Sequence, residues 1–328
     1  MQKWIKRLAA ATVVTALYTL TQGVSAQTAN AYPSKQIRIV IPFAAGGVTD
    51  VLGRILANEI AKEWGQPVIV ENVTGATAII GSQQVARAAP DGYTLLVTSN
   101  AHTINPALRQ KLPFDPIKDF TPITLLAAAP NMLVVRTDSP IRTVADYVAA
   151  AKAKPGEVNY ASSGIGTSLH IAGEQFGQIT GTQVNHIPYA ASNQSIQAVL
   201  AGHTQSSWSA VNSALPFVKD GRLRPLAVAS EKRTLFAPDV PTFAELGIQG
   251  MKSETWLAAL GPAGLPQAIV AKLDAEFLKL MARPDIRAKI LGLGAEPVGI
   301  SQDKFGAQIR DEIVMYKRIV KDGGMKVD

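Results

Sequence analysis

The sequence predicts an α/β fold whose mostly parallel sheets carry helices on both faces. Three observations point there. β-branched runs alternate with amphipathic helical patterns from residue 37 onward, a strand, glycine loop and helix unit occurs once in each half, and the composition is that of a chain with a full core. Of 328 residues, 47% are hydrophobic and 17% charged, which excludes an extensively disordered chain. The length fits about two domains, or one large one.

In chain order, residues 37–41 form a β-branched run that stops at Pro42, and Gly46 and Gly47 follow as a turn signal. From Asp50 the period becomes helical, with Leu52, Ile55, Leu56 and Ile60 on one face, until Gly65 ends it. Residues 68–70 read as a strand, 80–88 as a helix and 93–98 as a strand. A second series starts after Pro130, with a strand at 132–135, a helix at 144–153, a strand at 159–162 and a helix at 167–178. Strands at 184–187 and 226–229 enclose a helix at 196–201. A strand at 256–260 leads into helices at 267–281, 284–291 and 304–319. Such alternation implies parallel sheets covered on both faces.

The N-terminus reads as an export signal. Lys3, Lys6 and Arg7 precede an uncharged run of about 13 residues, short of the ~20 that span a bilayer. Val24 and Ala26 then place small residues at the −3 and −1 positions of a cleavage site. Cleavage after Ala26 is expected, with a periplasmic mature chain that starts at Gln27. Removing those three charges lowers the formal net charge from +7 to +4. Cysteine is absent, which removes disulfides, thiolate metal sites and cysteine nucleophiles together.

In open α/β sheets ligands bind where strand ends meet helix N-termini. The loop 43–50, with Phe43, Ala45, Gly46, Gly47, Thr49 and Asp50, stands there, and its glycines let backbone approach an anion. It also reads as a plain turn with Thr49 or Asp50 as helix cap. Asp50 fits a brace better than a ligand contact, since its charge repels an anion. The matching loop of the second half holds Ser162, Ser163, Gly164, Gly166, Thr167 and Ser168. Its hydroxyls can donate to a carboxylate, and one of Thr167 and Ser168 is expected to serve as an N-cap. Ser99, Asn100 and His102 follow another strand end.

Other chemistries lack their motifs. No G-x-G-x-x-G follows the first strand, and neither a G-x-x-x-x-G-K-[ST] loop nor a G-x-S-x-G elbow occurs. No cofactor is expected. His170 and Glu174 lie at i, i+4, but two ligands without a third do not make a metal site. Lys and Arg are interspersed with acids, so no nucleic-acid surface is expected. Trp208 and Trp256 read as core residues or as lining of a cleft. An exported α/β hydrolase stays open as an alternative, with Ser162 or Ser163 and His170 as its candidate pair.

The motifs Tyr32-Pro33-Ser34-Lys35, Ile41-Pro42-Phe43, Gly46-Gly47-Val48-Thr49-Asp50, Pro90-Asp91-Gly92-Tyr93, Asn159-Tyr160-Ala161-Ser162-Ser163-Gly164, Ile187-Pro188-Tyr189 and Ser213-Ala214-Leu215-Pro216 resemble the Bug family, the substrate-binding proteins of tripartite tricarboxylate transporters. The resemblance covers nearly the whole mature chain. It implies a type II-like, two-lobed periplasmic binding protein, monomeric and not an enzyme, that closes over a small organic carboxylate. Lobe 1 would comprise residues 27–129 and 253–328, and lobe 2 residues 130–252. Loops 43–50 and 162–168 would face each other across the cleft, with Tyr189 and Ser209 adding to the site. The large and small membrane subunits of a transporter would be its partners. Two departures bear on the ligand. Val73-Thr74-Gly75-Ala76-Thr77-Ala78 stands where the family commonly has Arg-Pro-Gly-Ala-Gly-Gly, and Trp208-Ser209-Ala210 where many members have Phe-Asp-Asn. The missing acid argues against pairing with a ligand amine.

Overall fold

The computed structural model describes residues 32–109 and 111–325; the export signal and its cleavage position lie outside them. The first sheet starts with β1 (Ile37–Ile41), followed by helix α1 (Val48–Trp64), β2 (Val68–Asn72), α2 (Ile79–Ala86), β3 (Thr94–Ser99) and α3 (Ala101–Leu108). A single 17-residue strand, β4 (Phe120–Arg136), then leads into the second lobe. That lobe holds α4 (Val144–Ala153), β5 (Asn159–Ser162), α5 (Ser168–Thr180), β6 (Asn185–Pro188), α6 (Ser192–Leu200), β7 (Ser206–Ala210), α7 (Val211–Lys219) and β8 (Leu223–Val228). The chain returns through β9 (Glu254–Pro262) to α8 (Gln267–Ala282), α9 (Pro284–Gly292), β10 (Glu296–Ile300) and α10 (Gln302–Asp322).

The α/β, two-lobed expectation holds, but both sheets are mixed. β2, β1 and β3 pair in parallel, as do β6, β5 and β7. β9 is antiparallel to β3 and β4, β10 is antiparallel to β4, and β4 is antiparallel to β7 and β8. The antiparallel pairs are those made by the strands that connect the lobes, which run against the βαβ units they join. β4 pairs with β9 through Pro130↔Glu254 and with β7 from Asn131↔Ala210 onward. The sequence reads Pro130 as a boundary, yet the strand passes through it. Proline offers no N–H to a ladder, and Pro130 stands where β4 changes partner, so a missing donor is tolerated there.

Alternation along the strands builds a separate core on each face. In β1, Ile37, Ile39 and Ile41 pack with Leu52, Leu56 and Ile60 of α1 and with Leu273 and Phe277 of α8. Val40 points the other way, toward Val85 and toward Phe305, Ile309 and Ile313 of α10. In the second lobe Leu133 and Val135 join Tyr147, Phe176, Trp208 and Phe243, while Met132 and Val134 join Ile196, Val199 and Val211. Trp208 and Trp256 are both buried in these cores. The helices α3 and α7 and the strands β7 and β10 are additions to the sequence reading.

Candidate functional site

A cavity of about 400 Å³ opens between the lobes, five helices begin at it, and a sixth, α2, begins just beyond its lining. α1 contributes Val48 and Thr49, α3 Ala101 with Asn100 as its cap residue, α5 Ser168 with Thr167 as its cap residue, α6 Ser192, and α7 Asn212 and Ser213. Thr77 lies just ahead of α2. Each helix start carries about half a positive charge from its aligned peptide dipoles. Among the described residues that line the cavity there is no Asp, Glu, Lys, Arg or His. Its polarity comes from hydroxyls, amides and backbone, set among apolar side chains such as Phe43, Ile104, Leu257 and Leu293.

Of the candidates drawn from sequence, Phe43, Thr49, Ser99, Asn100, Thr167 and Ser168 line this cavity. Ala45, Gly46 and Gly47 form the exposed rim between Phe43 and Val48. Asp50 is buried away from the cavity as a brace. Its Oδ2 accepts the Gly46 N–H at 2.8 Å, Arg54 Nε donates to both carboxylate oxygens at 3.1 Å, and Asn72 Nδ2 donates to Oδ1 at 2.9 Å. Burial alone would raise the Asp50 pKa, but the donors from Arg54, Gly46 and Asn72 outweigh it and hold the carboxyl below its ordinary 3.8. The Gly46 N–H is therefore committed within the protein. Gly46 has φ +84°, whereas Gly47 has φ −73° and ample space around its Cα. The fold thus requires glycine at 46 and leaves 47 open.

The second loop is held by neutral groups. Ser162 Oγ, fully buried, lies 2.6 Å from His186 Nε2 and accepts the Gly164 N–H at 3.1 Å. The Gly166 N–H donates to His170 Nδ1 at 3.1 Å. The two imidazoles stack with ring centroids 3.8 Å apart, and Tyr160 Oη donates to Glu174 Oε1 at 2.8 Å beneath them. Burial pushes His186 down to about 4; burial, aided by His186, takes His170 down to about 3. Both rings are neutral near pH 7. Ser162 and Gly164 thus brace the loop instead of lining the cavity, because hydroxyl and amide satisfy each other. Ser209 is buried in β7 with its Oγ 2.9 Å from Ser207 Oγ, and the Tyr189 N–H donates to the Ser162 carbonyl at 3.1 Å; neither lines the cavity.

Thr167 caps α5: its Oγ1 accepts the His170 N–H at 3.3 Å and donates to the Gly164 carbonyl at 2.9 Å. The Ser168 hydroxyl meets Thr255 Oγ1 at 3.0 Å, so a lobe 2 helix start touches the returning strand β9. A second link crosses the cleft where Asn212 Nδ2 donates to the Leu293 carbonyl at 3.3 Å. Gly294, at φ +76°, permits that approach, since a Cβ there would fall 2.1 Å from Asn212 Cβ. Thr77, Ser163, Gly166, Ser192, Asn212, Ser213, Thr255 and Gly294 also line it. The sequence signals for them were partial, since Ser213 and Ser163 stand in recognisable motifs while Thr255 and Asn212 reach the cavity through tertiary placement. The hydrolase pair does not assemble. Ser162 is off the cavity and meets His186, Ser163 lines the cavity but makes no hydrogen bond to His170, and His170 Nδ1 accepts the Gly166 N–H. His170 Nε2 and Glu174 Oε1 stand 3.8 Å apart.

The profile described as "Tripartite tricarboxylate transporter family receptor" matches residues 52–325. The chain belongs to that family. BugT of Bordetella pertussis strain Tohama I is 31% identical over 317 residues, 96% of this chain and 97% of BugT. The solved periplasmic binding protein BugD is similar at 29% identity with a TM-score of 0.71, over 90% of this chain and 99% of BugD. Rpa4515 of R. palustris, solved with adipate, gives 30% identity and a TM-score of 0.74 over 89% and 98% of the two chains. MatC (Rpa3494) of Rhodopseudomonas palustris, solved with bound malate, gives 29% and 0.71 over 88% and 100%. The resemblance to the Bug proteins is thereby borne out, and this tripartite tricarboxylate transporter receptor is a solute-binding protein with a cleft between its lobes.

Proposed function

We propose that this receptor captures a small organic carboxylate, mono- or dicarboxylate, in the interlobe cavity. The observation that carries the reading is the convergence of five helix starts on a cavity whose described lining has no charged side chain. Oriented N–H groups and hydroxyls stabilise a compact anion without a fixed countercharge. Relatives solved with adipate and with malate support the same class. Phe43, Thr49, Ser99, Asn100, Thr167 and Ser168 are the proposed contacts, with the rim 45–47 closing over the ligand. The lobes divide at residues 129/130 and 252/253, next to the partner change of β4. Closure about this hinge would deliver the solute to the membrane subunits of a tripartite transporter or to a sensor. The protein would act in the periplasm as a monomer, matured by cleavage after Ala26.

Thermal unfolding with a solute panel tests the reading. Ligand at about 100 times its Kd adds about 2.7 kcal/mol to stability when only the folded state binds. One or more aliphatic or aromatic carboxylates should therefore raise the melting midpoint by several degrees, with sugars and amines inert. A shift with a sugar or amine and none with any carboxylate would overturn it.

A further inference from the structure

Residues 75–78 form the most strained segment described at the cleft. Gly75 has φ +132°, and Ala76, Thr77 and Ala78 follow at +46°, +55° and +74°. Glycine adopts such angles freely, whereas a β-branched residue there is a genuine outlier. Strain of this kind persists only where the surroundings impose it, and it collects at ligand clamps.

The surroundings do impose it. Asn105 of α3, 5% exposed, donates through Nδ2 to the Thr77 carbonyl at 2.8 Å. Ala78 and Ile79 are buried just beyond, and the Ile79 N–H donates to the Ala76 carbonyl at 3.3 Å. The same helix α3 presents Ala101 and Ile104 to the cavity, so Asn105 fixes Thr77 relative to that wall. Of the three left-handed non-glycine residues, Thr77 alone lines the cavity. Its hydroxyl makes no hydrogen bond to another described residue. A turn alone would be served without strain by glycine. The β-branched side chain sits at the one position of the three that faces the ligand space.

We propose that Thr77 is a specificity-determining residue whose methyl and hydroxyl, held into the cleft by the left-handed loop, select among carboxylates. This role rests on the carboxylate reading of the cavity. Glycine at 77 would free the backbone and enlarge the ligand space, whereas serine keeps the hydroxyl and removes only the methyl.

The test measures binding of benzoate, adipate and malate by calorimetric titration to the wild type, Thr77→Gly and Thr77→Ser, beside ligand-free melting. Thr77→Gly should melt at or above the wild type. It should bind the best wild-type ligand about tenfold or more weakly, as expected for loss of a hydrogen bond to a charged group, and change the affinity ratios among the three acids. Thr77→Ser should restore most of the affinity. Wild-type affinities and ratios in Thr77→Gly would overturn the role of Thr77 alone, whereas a wild type that binds a sugar or amine and none of the carboxylates in the melting panel would overturn the carboxylate reading and this role with it. Thr77→Ala is read by the same criteria should the glycine variant fail to fold.

Discussion

The first cleft loop is held by a buried charge and the second by neutral rings and hydroxyls, although both hang from the same strand, loop and helix unit. Asp50 draws in Gly46, Arg54 and Asn72, so the lobe 1 rim depends on an ionised carboxylate. In lobe 2, His170 accepts from Gly166, and Ser162, paired with His186, accepts from Gly164. There the loop depends on imidazoles that stay unprotonated. Both arrangements keep charge out of the cavity lining and leave helix starts to face the ligand. The walls also differ in polarity. Lobe 1 supplies the bulky apolar side chains Phe43, Val48, Ile104, Leu257 and Leu293 beside Thr49, Thr77, Ser99, Asn100 and Thr255, whereas lobe 2 supplies mainly hydroxyls and an amide, Ser163, Thr167, Ser168, Ser192, Asn212 and Ser213, beside Ile165 and Leu169. A ligand with a carboxylate at one end and a less polar body meets both.

The largest effect is expected at the rim. Gly47→Val meets only the Ala44 carbonyl, at 3.6 Å from the new Cβ, so the fold should lose no more than about 1 kcal/mol. Binding should nevertheless fall beyond detection if lobe 2 closes the rim onto the ligand. Unchanged affinity in the folded variant would remove the rim from the site.

Next come the two braces. Asp50→Ala leaves the Gly46 N–H, Arg54 and Asn72 without their acceptor and should cost roughly 2 kcal/mol in urea unfolding, discounted because Arg54 is half exposed. Thr167→Ala removes a neutral helix cap and should cost about 1 kcal/mol. Its effect on binding should be smaller than that of Gly47→Val, since the Thr167 hydroxyl proton is already donated to the Gly164 carbonyl. A larger stability loss in Thr167→Ala than in Asp50→Ala would reverse the comparison.

The smallest effect is a pH slope that separates the lobes. His170 and His186 titrate below 6.5 in the folded state, so the unfolded chain takes up protons first as pH falls. The histidine contribution is full above pH 6.5 and declines from there toward pH 3 to 4, by at most about 1.4 kcal/mol per pH unit for each histidine, while Glu254, pushed up to about 7 by its burial, works in the opposite direction as pH falls from 7 toward 4.5. Asp50 acts in the other window. Its contribution is complete above its ordinary 3.8 and is lost only as pH falls through its lower folded value. His102, held down to about 4 by its burial in lobe 1, adds a slope of its own. His170→Asn, which keeps an acceptor for Gly166, should therefore remove part of the histidine loss, so that its melting midpoint gains on that of the wild type as pH falls from 6.5 to 4. An unchanged melting-versus-pH curve would contradict the neutral brace.

Much of this was legible in the residues. The run at Ile37–Ile41, the glycine turn after it and the amphipathic face of α1 announce one loop at a strand end, and the Ser/Gly-rich stretch after β5 announces the other. The direction of each side chain was less accessible. Ser162 and Ser209 carry the right hydroxyls but turn into the protein, because β5 and β7 lie inside the sheet and strand alternation decides their facing. α3 is missing from the sequence reading, in which Ser99, Asn100 and His102 form a polar loop after a strand end. It is helical because Ile104 and Leu108 pack against Ile171 and Tyr316 and Thr103 donates to Glu312. Thr255 and Asn212 reach the cavity only after β4 and β9 bring the lobes together. No local pattern encodes that approach.

The central claim is that helix starts and hydroxyls, without a cationic side chain, recognise a negative charge. Calorimetric titration of the wild-type receptor with the carboxylate that shifts its melting most, beside the corresponding neutral amide, addresses it directly. The carboxylate should bind at one site per chain and the amide about a hundredfold more weakly or not at all. Equal affinity for acid and amide would contradict it.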